Sequence, residues 1–249
     1  ISALLSALVI KASLAMLLRL WLMAGPTLSL AHAGQLLAGL GGVAVLWGSW
    51  LALRQRRLKH LVAYSTVAQV GYLLLPLAWL TPTSPLAGAA LEAGVLQLLA
   101  HGLAKAAMFL AAGCLLLAAG GDELEQLQGA VVRQPLAVLA FALAGASLIG
   151  LPPSAGFAAK WQLLRVAMDS GQWGWALLLI VGGLLAAAYV FKVLRLAFLP
   201  EPAGLQAIPL PRGLAAAALA LALPAALGAL GLAPLLARLR LDRLAWGGA

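Results

Sequence analysis

The sequence is short of charge, since Asp, Glu, Lys and Arg make up 9% of its 249 residues and hydrophobic residues 64%. No soluble domain of this size needs so little charge, so the composition indicates a helical protein that crosses a membrane several times. A single cysteine, Cys114, excludes a disulfide framework and a cysteine-based metal site. The three histidines lack metal-ligand spacing, and no redox site is visible. We therefore expect no metal and no cofactor.

The net charge is +9, but the basic residues lie mostly at the ends of apolar runs. Such residues set topology and contact lipid headgroups, so we expect lipid and no nucleic acid among the partners. The chain has no phosphate-binding Gly-Lys-Ser/Thr loop, which excludes nucleotide hydrolysis by this chain alone. We expect a multi-pass protein of the cytoplasmic (inner) membrane. The basic residues between 54 and 59 predict a cytoplasmic loop, and alternation places the loops at 120–133 and 200–212 on the same side.

The apolar runs predict an all-α fold, a polytopic bundle of about seven transmembrane helices in one domain covering 1–249. A bilayer core about 30 Å thick needs about 20 apolar residues per helix. The predicted spans are 2–23, 34–53, 59–80, 88–119, 134–168, 173–199 and 213–236. The run at 88–119 is too long for a straight span, so we expect a bend there. The run begins at Ile1 without a charged leader, which favours a missing N-terminus or one piece of a longer subunit.

The run at 134–168 contains a predicted helix break. Pro152 removes an intrahelical hydrogen bond, Pro153 follows it, and Gly156 tolerates the backbone angles that a break needs. We therefore expect a discontinuous helix with Lys160 in its second half. Broken membrane helices expose free backbone groups where ions bind, although Lys160 could instead extend its ammonium to the headgroups.

Lys160, Lys105 and Lys11 each lie inside an apolar run. A charge at the bilayer centre costs about 2.5–3.5 kcal/mol on insertion scales, and the default explanation for such residues is an ion or proton path. These lysines are expected to face the interior of the bundle. Lys192 and Arg195 lie near the end of a span, where we expect contacts with headgroups.

Gln97, His101 and Lys105 are spaced four residues apart and form a stripe on one helix face. Histidine titrates near neutrality, and burial disfavours the charged form of lysine, so the stripe is a candidate proton relay. The alternative is that these side chains only bond a neighbouring helix. Candidate accessory residues are Glu92, Gln97, Lys59, His60 and Tyr64. An interfacial position without a role is the alternative for His60.

Four segments resemble the antiporter-like subunits of respiratory complex I, membrane-bound hydrogenases and Mrp-type cation/proton antiporters. Residues 58–72, LKHLVAYSTVAQVGY, resemble the family pattern LKRLLAYSSISQIGY. Residues 101–110, HGLAKAAMFL, resemble HAxxKAxLFL, and residues 150–160, GLPPSAGFAAK, resemble the broken helix GIPPLSGFxxK. Residues 8–12, LVIKA, resemble the central lysine helix LxxKxxxY.

The resemblance implies about half of a fold with two inverted five-helix repeats. It assigns 1–23 to the last helix of a first repeat, 34–199 to the second repeat and 213–236 to a final helix. By resemblance, Lys11 is the central lysine, His101 and Lys105 lie on the relay helix, and Lys160 ends the path. The sequence departs from the family at 56–57, where two arginines replace the usual acidic residue, and the first half is absent.

The leading hypothesis is a proton- or cation/proton-translocating subunit of a multisubunit NADH:quinone oxidoreductase, hydrogenase or Mrp complex. Its partners would be other membrane subunits, the missing N-terminal half, and protons or monovalent cations. A non-conducting membrane scaffold is the alternative. An independent solute transporter would need a substrate pocket, to which the sequence does not point.

Overall fold

The computed structural model describes residues 5–200 and 212–238, which form an all-helical bundle. After a π-helical turn at Leu5–Val9, the described residues form a succession of α-helices. They are α1 Ile10–Ala24, α2 Ala31–Arg54, α3 Leu58–Leu74, α4 Ala87–Ala119, α5 Ala130–Arg133, α6 Pro135–Ile149, α7 Ala155–Asp169, α8 Trp173–Ala197 and α9 Arg212–Arg238.

Five helical segments of the described part are long and apolar enough to cross a membrane. They are Ala31–Arg54, Leu58–Ala78, Ala87–Ala119, Trp173–Ala197 and Gly213–Leu236. This confirms a polytopic helical bundle, while the count of seven spans and the inverted repeat stay predictions. Helix α4 is continuous over 33 residues, or about 50 Å at 1.5 Å per residue. Its expected bend also stays a prediction.

The predicted break is confirmed, because two 15-residue helices, α6 and α7, replace the single run at 134–168. Helix α6 ends at Gly150, whose φ of 93° is a left-handed conformation that glycine adopts without strain. Helix α7 starts with a side-chain cap, since the Ser154 hydroxyl accepts from the Phe157 amide at 3.0 Å. Helix α9 covers the break, where the Ala229 amide donates to the carbonyl of Pro153 at 3.1 Å.

Helix α4 packs against α3, α6, α7 and α9 and is the central element of the bundle. Helices α2 and α3 approach each other backbone to backbone at Gly41 and Gly71. A Cβ at Gly71 would lie 2.3 Å from the Gly41 oxygen, so only glycine permits this crossing. The close approach fixes α3 beside α2 and turns its polar side chains toward the centre of the bundle.

The connection at 54–57 meets the connection at 120–129, as predicted for loops on one side. The amide of Leu58 donates to the carbonyl of Asp122 at 2.8 Å, and the Arg57 side chain lies 3.6 Å from the Asp122 carboxylate. The amide of Gly129 donates to Leu199 at 2.9 Å, which brings the third predicted connection to the same face. Residues 201–211 of that connection lie outside the described part.

Candidate functional site

The four predicted relay side chains are buried, with relative exposures of 8% for Lys11, 1% for His101, 0% for Lys105 and 8% for Lys160. This confirms the prediction that they face the interior of the bundle. Each lysine is held by oxygen atoms of the protein rather than by an acid. Among the described residues, no aspartate or glutamate is buried. Oriented carbonyl groups therefore supply the negative potential around these amines.

Lys160 lies at the helix break. Its Nζ atom donates to the carbonyl oxygen of Leu148 at 2.6 Å and to that of Ile149 at 3.2 Å. These carbonyls end α6, and the last carbonyls of a helix have no intrahelical donor and carry the negative end of its dipole. The break thus provides two free acceptors to an ammonium. This contact replaces the alternative in which Lys160 extends to the headgroups.

The break keeps its shape because α6 and α7 touch at Ser147 and Gly156. The Gly156 amide donates to the Ser147 hydroxyl at 3.3 Å, and a Cβ on Gly156 would lie 1.9 Å from the Ser147 carbonyl oxygen. Glycine is therefore required here by contact, whereas the left-handed backbone angle of the break falls on Gly150 and not on Gly156 as the sequence had suggested. The predicted break residues Pro152 and Pro153 form the connection between the two helices.

Lys105 is bonded to α3. Its Nζ atom donates to the carbonyl oxygen of Val62 at 3.0 Å and to the Ser65 hydroxyl at 2.5 Å. The Ser65 hydroxyl in turn donates to Val62 at 2.8 Å. The Phe109 ring lies one helical turn away, with its centroid 6.0 Å from the ammonium. Lys105 is thereby enclosed between α3 and its own helix.

Lys11 lies near Lys105, with Ser6 and Thr66 between them. It donates to the carbonyl oxygen of Ser6 in the π-helical turn, a distortion that often occurs at functional sites. The Ser6 and Thr66 hydroxyls lie 3.1 Å apart, and Thr66 donates to the Val62 carbonyl at 3.1 Å. Lys11 therefore contacts the backbone of Ser6, whose side chain begins a short chain of hydrogen bonds that meets Lys105 at Val62.

The buried polar side chains from Lys11 through Lys105 to Lys160 form a row through the bundle. Two glutamine side chains continue this row from α4 toward the helix break. Gln97 approaches Gln69 at 3.5 Å, from Nε2 to Oε1. Gln69 donates to the carbonyl oxygen of Leu148 at 3.1 Å and to the Tyr189 hydroxyl at 3.3 Å. Since Leu148 also accepts from Lys160, the glutamine pair connects the stripe on α4 with the helix break.

His101 lies between Gln97 and Lys105 on α4, one helical turn from each. Both of its ring nitrogens are buried and have no hydrogen-bond partner in the described part of the chain. Buried polar atoms are almost always bonded, and water supplies the bond where protein does not. The imidazole is thus the point of the row where we expect a water-mediated connection.

Sequence reasoning did not assign roles to four buried polar residues of α3, which follow its accessory candidates Lys59, His60 and Tyr64 along the helix. Ser65, Gln69 and Tyr72 are spaced i, i+4 and i+7, which places them on one face with Thr66 beside them. All four are buried and line the row of lysines. The signal was present in the motif at 58–72, as a polar stripe within an apolar helix.

Four of the accessory candidates make no described hydrogen bond to the residues of the row. Lys59 and His60 are exposed, and they line a cavity of about 610 Å³ whose far end reaches Ser6 and Thr66. Tyr64 is half-buried against the core of the bundle. Glu92 is half-buried and accepts a hydrogen bond from Gln162 at 3.3 Å. Of the accessory set, Gln97 alone takes part in the row.

Lys192 was expected to contact lipid headgroups, but its ammonium binds the protein instead. It is half-buried and donates to the carbonyl oxygens of Leu53 at 2.8 Å and Gln55 at 2.7 Å. These carbonyls belong to the end of α2, where a cation is favoured by the helix dipole. Its neighbour Arg195 is exposed, in agreement with an interfacial position.

Known proteins similar to this chain are membrane subunits of respiratory and antiporter complexes. Residues 1–186 match the family model described as NADH:quinone oxidoreductase/Mrp antiporter, TM. The chain is 37% identical over 171 residues to NADH-quinone oxidoreductase subunit N of Desulforudis audaxviator. That match covers 68% of this chain and 33% of the relative.

Two solved structures share the fold. A chain of the Mrp complex from Dietzia sp. DQ12-45-1b matches with a TM-score of 0.83 and 26% identity, over 99% of this chain and 52% of the other. A chain of Thermus thermophilus respiratory complex I with bound Aureothin matches with a TM-score of 0.59 and 34% identity, over 86% and 46%. The chain thus spans about half the length of these solved chains. It belongs to the antiporter-like membrane subunit family of NADH:quinone oxidoreductases and Mrp antiporters.

Proposed function

We propose that this chain translocates protons, or exchanges cations for protons, as a membrane subunit of a multisubunit complex. The observation that carries the proposal is the row of buried lysines, each bonded to a backbone carbonyl. Lys11 donates to Ser6, Lys105 to Val62 and Lys160 to Leu148. A buried lysine costs stability wherever it is placed in a membrane, so three of them joined by polar groups favour a conducting path.

The row is suited to proton transfer because its groups can both hold and release a proton. Burial disfavours the charged amine whereas carbonyl oxygens favour it, so the preferred protonation state of each lysine depends on the contacts that it keeps. The hydroxyls of Ser6, Ser65 and Thr66 can donate and accept. In this scheme His101 accepts the proton from Lys105 and passes it to water, which the amides of Gln97 and Gln69 orient toward Lys160.

The rest of the path would come from other chains or segments. The similar proteins described above are longer than this chain and belong to NADH-quinone oxidoreductase, Mrp and complex I assemblies. Other membrane subunits and a preceding N-terminal half are therefore the proposed partners. Such an assembly would couple the row to an energy source, since the sequence contains no nucleotide-hydrolysing motif.

The test is proton flux into vesicles that contain the complete assembly, with the amount of assembled complex measured in parallel. Lys105→Met keeps the length of the side chain and removes the group that changes charge. We expect flux per assembled complex to fall at least about a hundredfold, the lower end of what a proton-transfer group contributes. Arg54→Met is the matched control, since Arg54 is exposed at the end of α2.

The competing function is a scaffold that does not conduct, in which the lysines only join helices. It predicts that Lys105→Met lowers the amount of complex, because the bonds of Lys105 no longer join α4 to α3, but leaves flux per complex unchanged. Equal flux from equal amounts of the variant and the control complex would therefore refute the relay and favour the scaffold.

A further inference from the structure

Tyr72 lies face-on to the ammonium of Lys160. The distance from Nζ to the centroid of the ring is 4.4 Å, within the range of a cation–π interaction. The tyrosine is 1% exposed, and its hydroxyl has no hydrogen-bond partner in the described part of the chain. The ring face, rather than the hydroxyl, is therefore the part of Tyr72 that interacts with a charged group.

The ring and the end of α6 contact the same ammonium. The carbonyl oxygens of Leu148 and Ile149 accept its N–H groups at 2.6 and 3.2 Å. A ring face attracts a cation through its quadrupole and offers nothing comparable to a neutral amine. We propose that these three groups form a cage for an ammonium-type cation, and that Tyr72 is the positioning residue which holds Lys160 in its charged form at the break.

Helix α8 packs closely against the far end of Tyr72. A Cβ on Gly182 would lie 2.1 Å from the Tyr72 hydroxyl oxygen and 2.6 Å from Val45 Cγ1. The phenol ring thus fills the space that Gly182 leaves open. An alanine at 182 would push the ring out of its place without removing any group of the cage. Gly174, on the same helix, has no atom within 4 Å of its Cβ position and offers a matched control.

A preformed cage should accept a free cation once the tethered one is removed. Lys160→Ala deletes the side chain from Cγ to Nζ and leaves Leu148, Ile149 and Tyr72 in place. The space suits a small primary alkylammonium ion, which has the same N–H donors as lysine. This binding property does not depend on the proposed transport function, whereas the effect of Tyr72 on flux rests on it.

The first experiment measures binding of radiolabelled ethylammonium to the purified complete assembly. Lys160→Ala should bind it, and the wild type, with the cage filled by Lys160, should not bind at the same site. Lys160→Ala/Tyr72→Phe should keep the affinity, while Lys160→Ala/Tyr72→Leu should lose about tenfold because the ring face is gone. No binding to Lys160→Ala, or equal binding to the Phe and Leu double variants, would overturn the cage.

The second experiment leaves Lys160 intact and measures flux per assembled complex. Tyr72→Phe should retain flux and Tyr72→Leu should lose most of it. Gly182→Ala should resemble Tyr72→Leu, and Gly174→Ala should resemble the wild type. Equal flux in the Phe and Leu variants would contradict the role of Tyr72 as a positioning residue. Ethylammonium binding with flux insensitive to Lys160 would instead refute the relay and leave the cage in place.

Discussion

Lys160 and Gln69 donate to the same acceptor, the carbonyl oxygen of Leu148. The ammonium lies 2.6 Å and the side-chain amide 3.1 Å from that oxygen. Gln69 is on α3 and Lys160 on α7, so a single atom at the end of α6 joins the middle of the bundle to the helix break. If Lys160 leaves this oxygen, Gln69 still satisfies it. The pair therefore allows the lysine to exchange partners without leaving a buried carbonyl unbonded.

Substitution of Gln69 should uncouple the two halves of the row. Gln69→Leu removes a donor to Leu148, which keeps Lys160, and removes the partner of the buried Tyr189 hydroxyl. It is expected to lower flux strongly, at a cost in stability of about 1–3 kcal/mol for the hydroxyl left unbonded. Gln69→Glu should also lower flux, because a carboxylate beside Lys160 would favour its charged form. Flux in vesicles and the melting temperature of the purified assembly check both effects.

Gln35→Leu provides the control for these two variants. Gln35 donates to the carbonyl of Ala78 and contacts Gln172, away from the lysine row. It should change flux little. Normal flux from an assembled Gln69→Leu variant would show that the path does not pass between α3 and the end of α6.

A side chain at Gly156 should distort the helix break. A Cβ there would lie 1.9 Å from the Ser147 carbonyl oxygen, so Gly156→Ala must separate α6 from α7. Overpacking of this kind costs about 1–3 kcal/mol. We expect less assembled complex and lower flux per complex, because the acceptors of Lys160 move with α6. Gly113→Ala, with nothing within 4 Å of its Cβ position, should be harmless. Equal melting temperatures for the two variants would contradict the packing described at the break.

Lys192 should matter for stability and not for transport. Lys192→Ala removes the donor that satisfies the carbonyls of Leu53 and Gln55 at the end of α2. We expect a loss of about 1–2 kcal/mol, at the lower end for bonds to a charged group because the site is only half-buried. Flux per assembled complex should stay at the wild-type level. Arg195→Ala, exposed on the same helix, should change neither quantity. A large fall in flux at unchanged stability would place Lys192 on the path.

The sequence was sufficient to predict the features that local chemistry decides. Two prolines and a glycine within an apolar run predict a helix break, whatever surrounds that run in the fold. The cost of exposing a charge to lipid predicts that Lys11, Lys105 and Lys160 face the interior of the bundle. These predictions required no knowledge of neighbours. The four-residue spacing on α4 similarly predicted that Gln97, His101 and Lys105 share a face.

The positions of the other candidate residues depend on contacts with helices that are distant in the sequence. Lys192 was expected at the headgroups because it lies near a span end, but its acceptors are 139 and 137 residues away in the sequence. Lys59 and His60 were accessory candidates by their motif, yet the start of α3 leaves them exposed. The α3 stripe was visible as spacing, but its role depends on α4 and α6 packing against it. No pattern within one helix contains that information.

The central claim is that the charge at Lys160 takes part in translocation. The most direct measurement compares Lys160→Ala with Arg165→Ala in vesicles that contain equal amounts of the complete assembly. Arg165 lies on the same helix, five residues further on, and is exposed. The account predicts proton or cation flux close to background for Lys160→Ala and flux near the wild-type level for Arg165→Ala. Normal flux from a fully assembled Lys160→Ala variant would contradict it and leave the lysine row as a structural feature of a membrane scaffold.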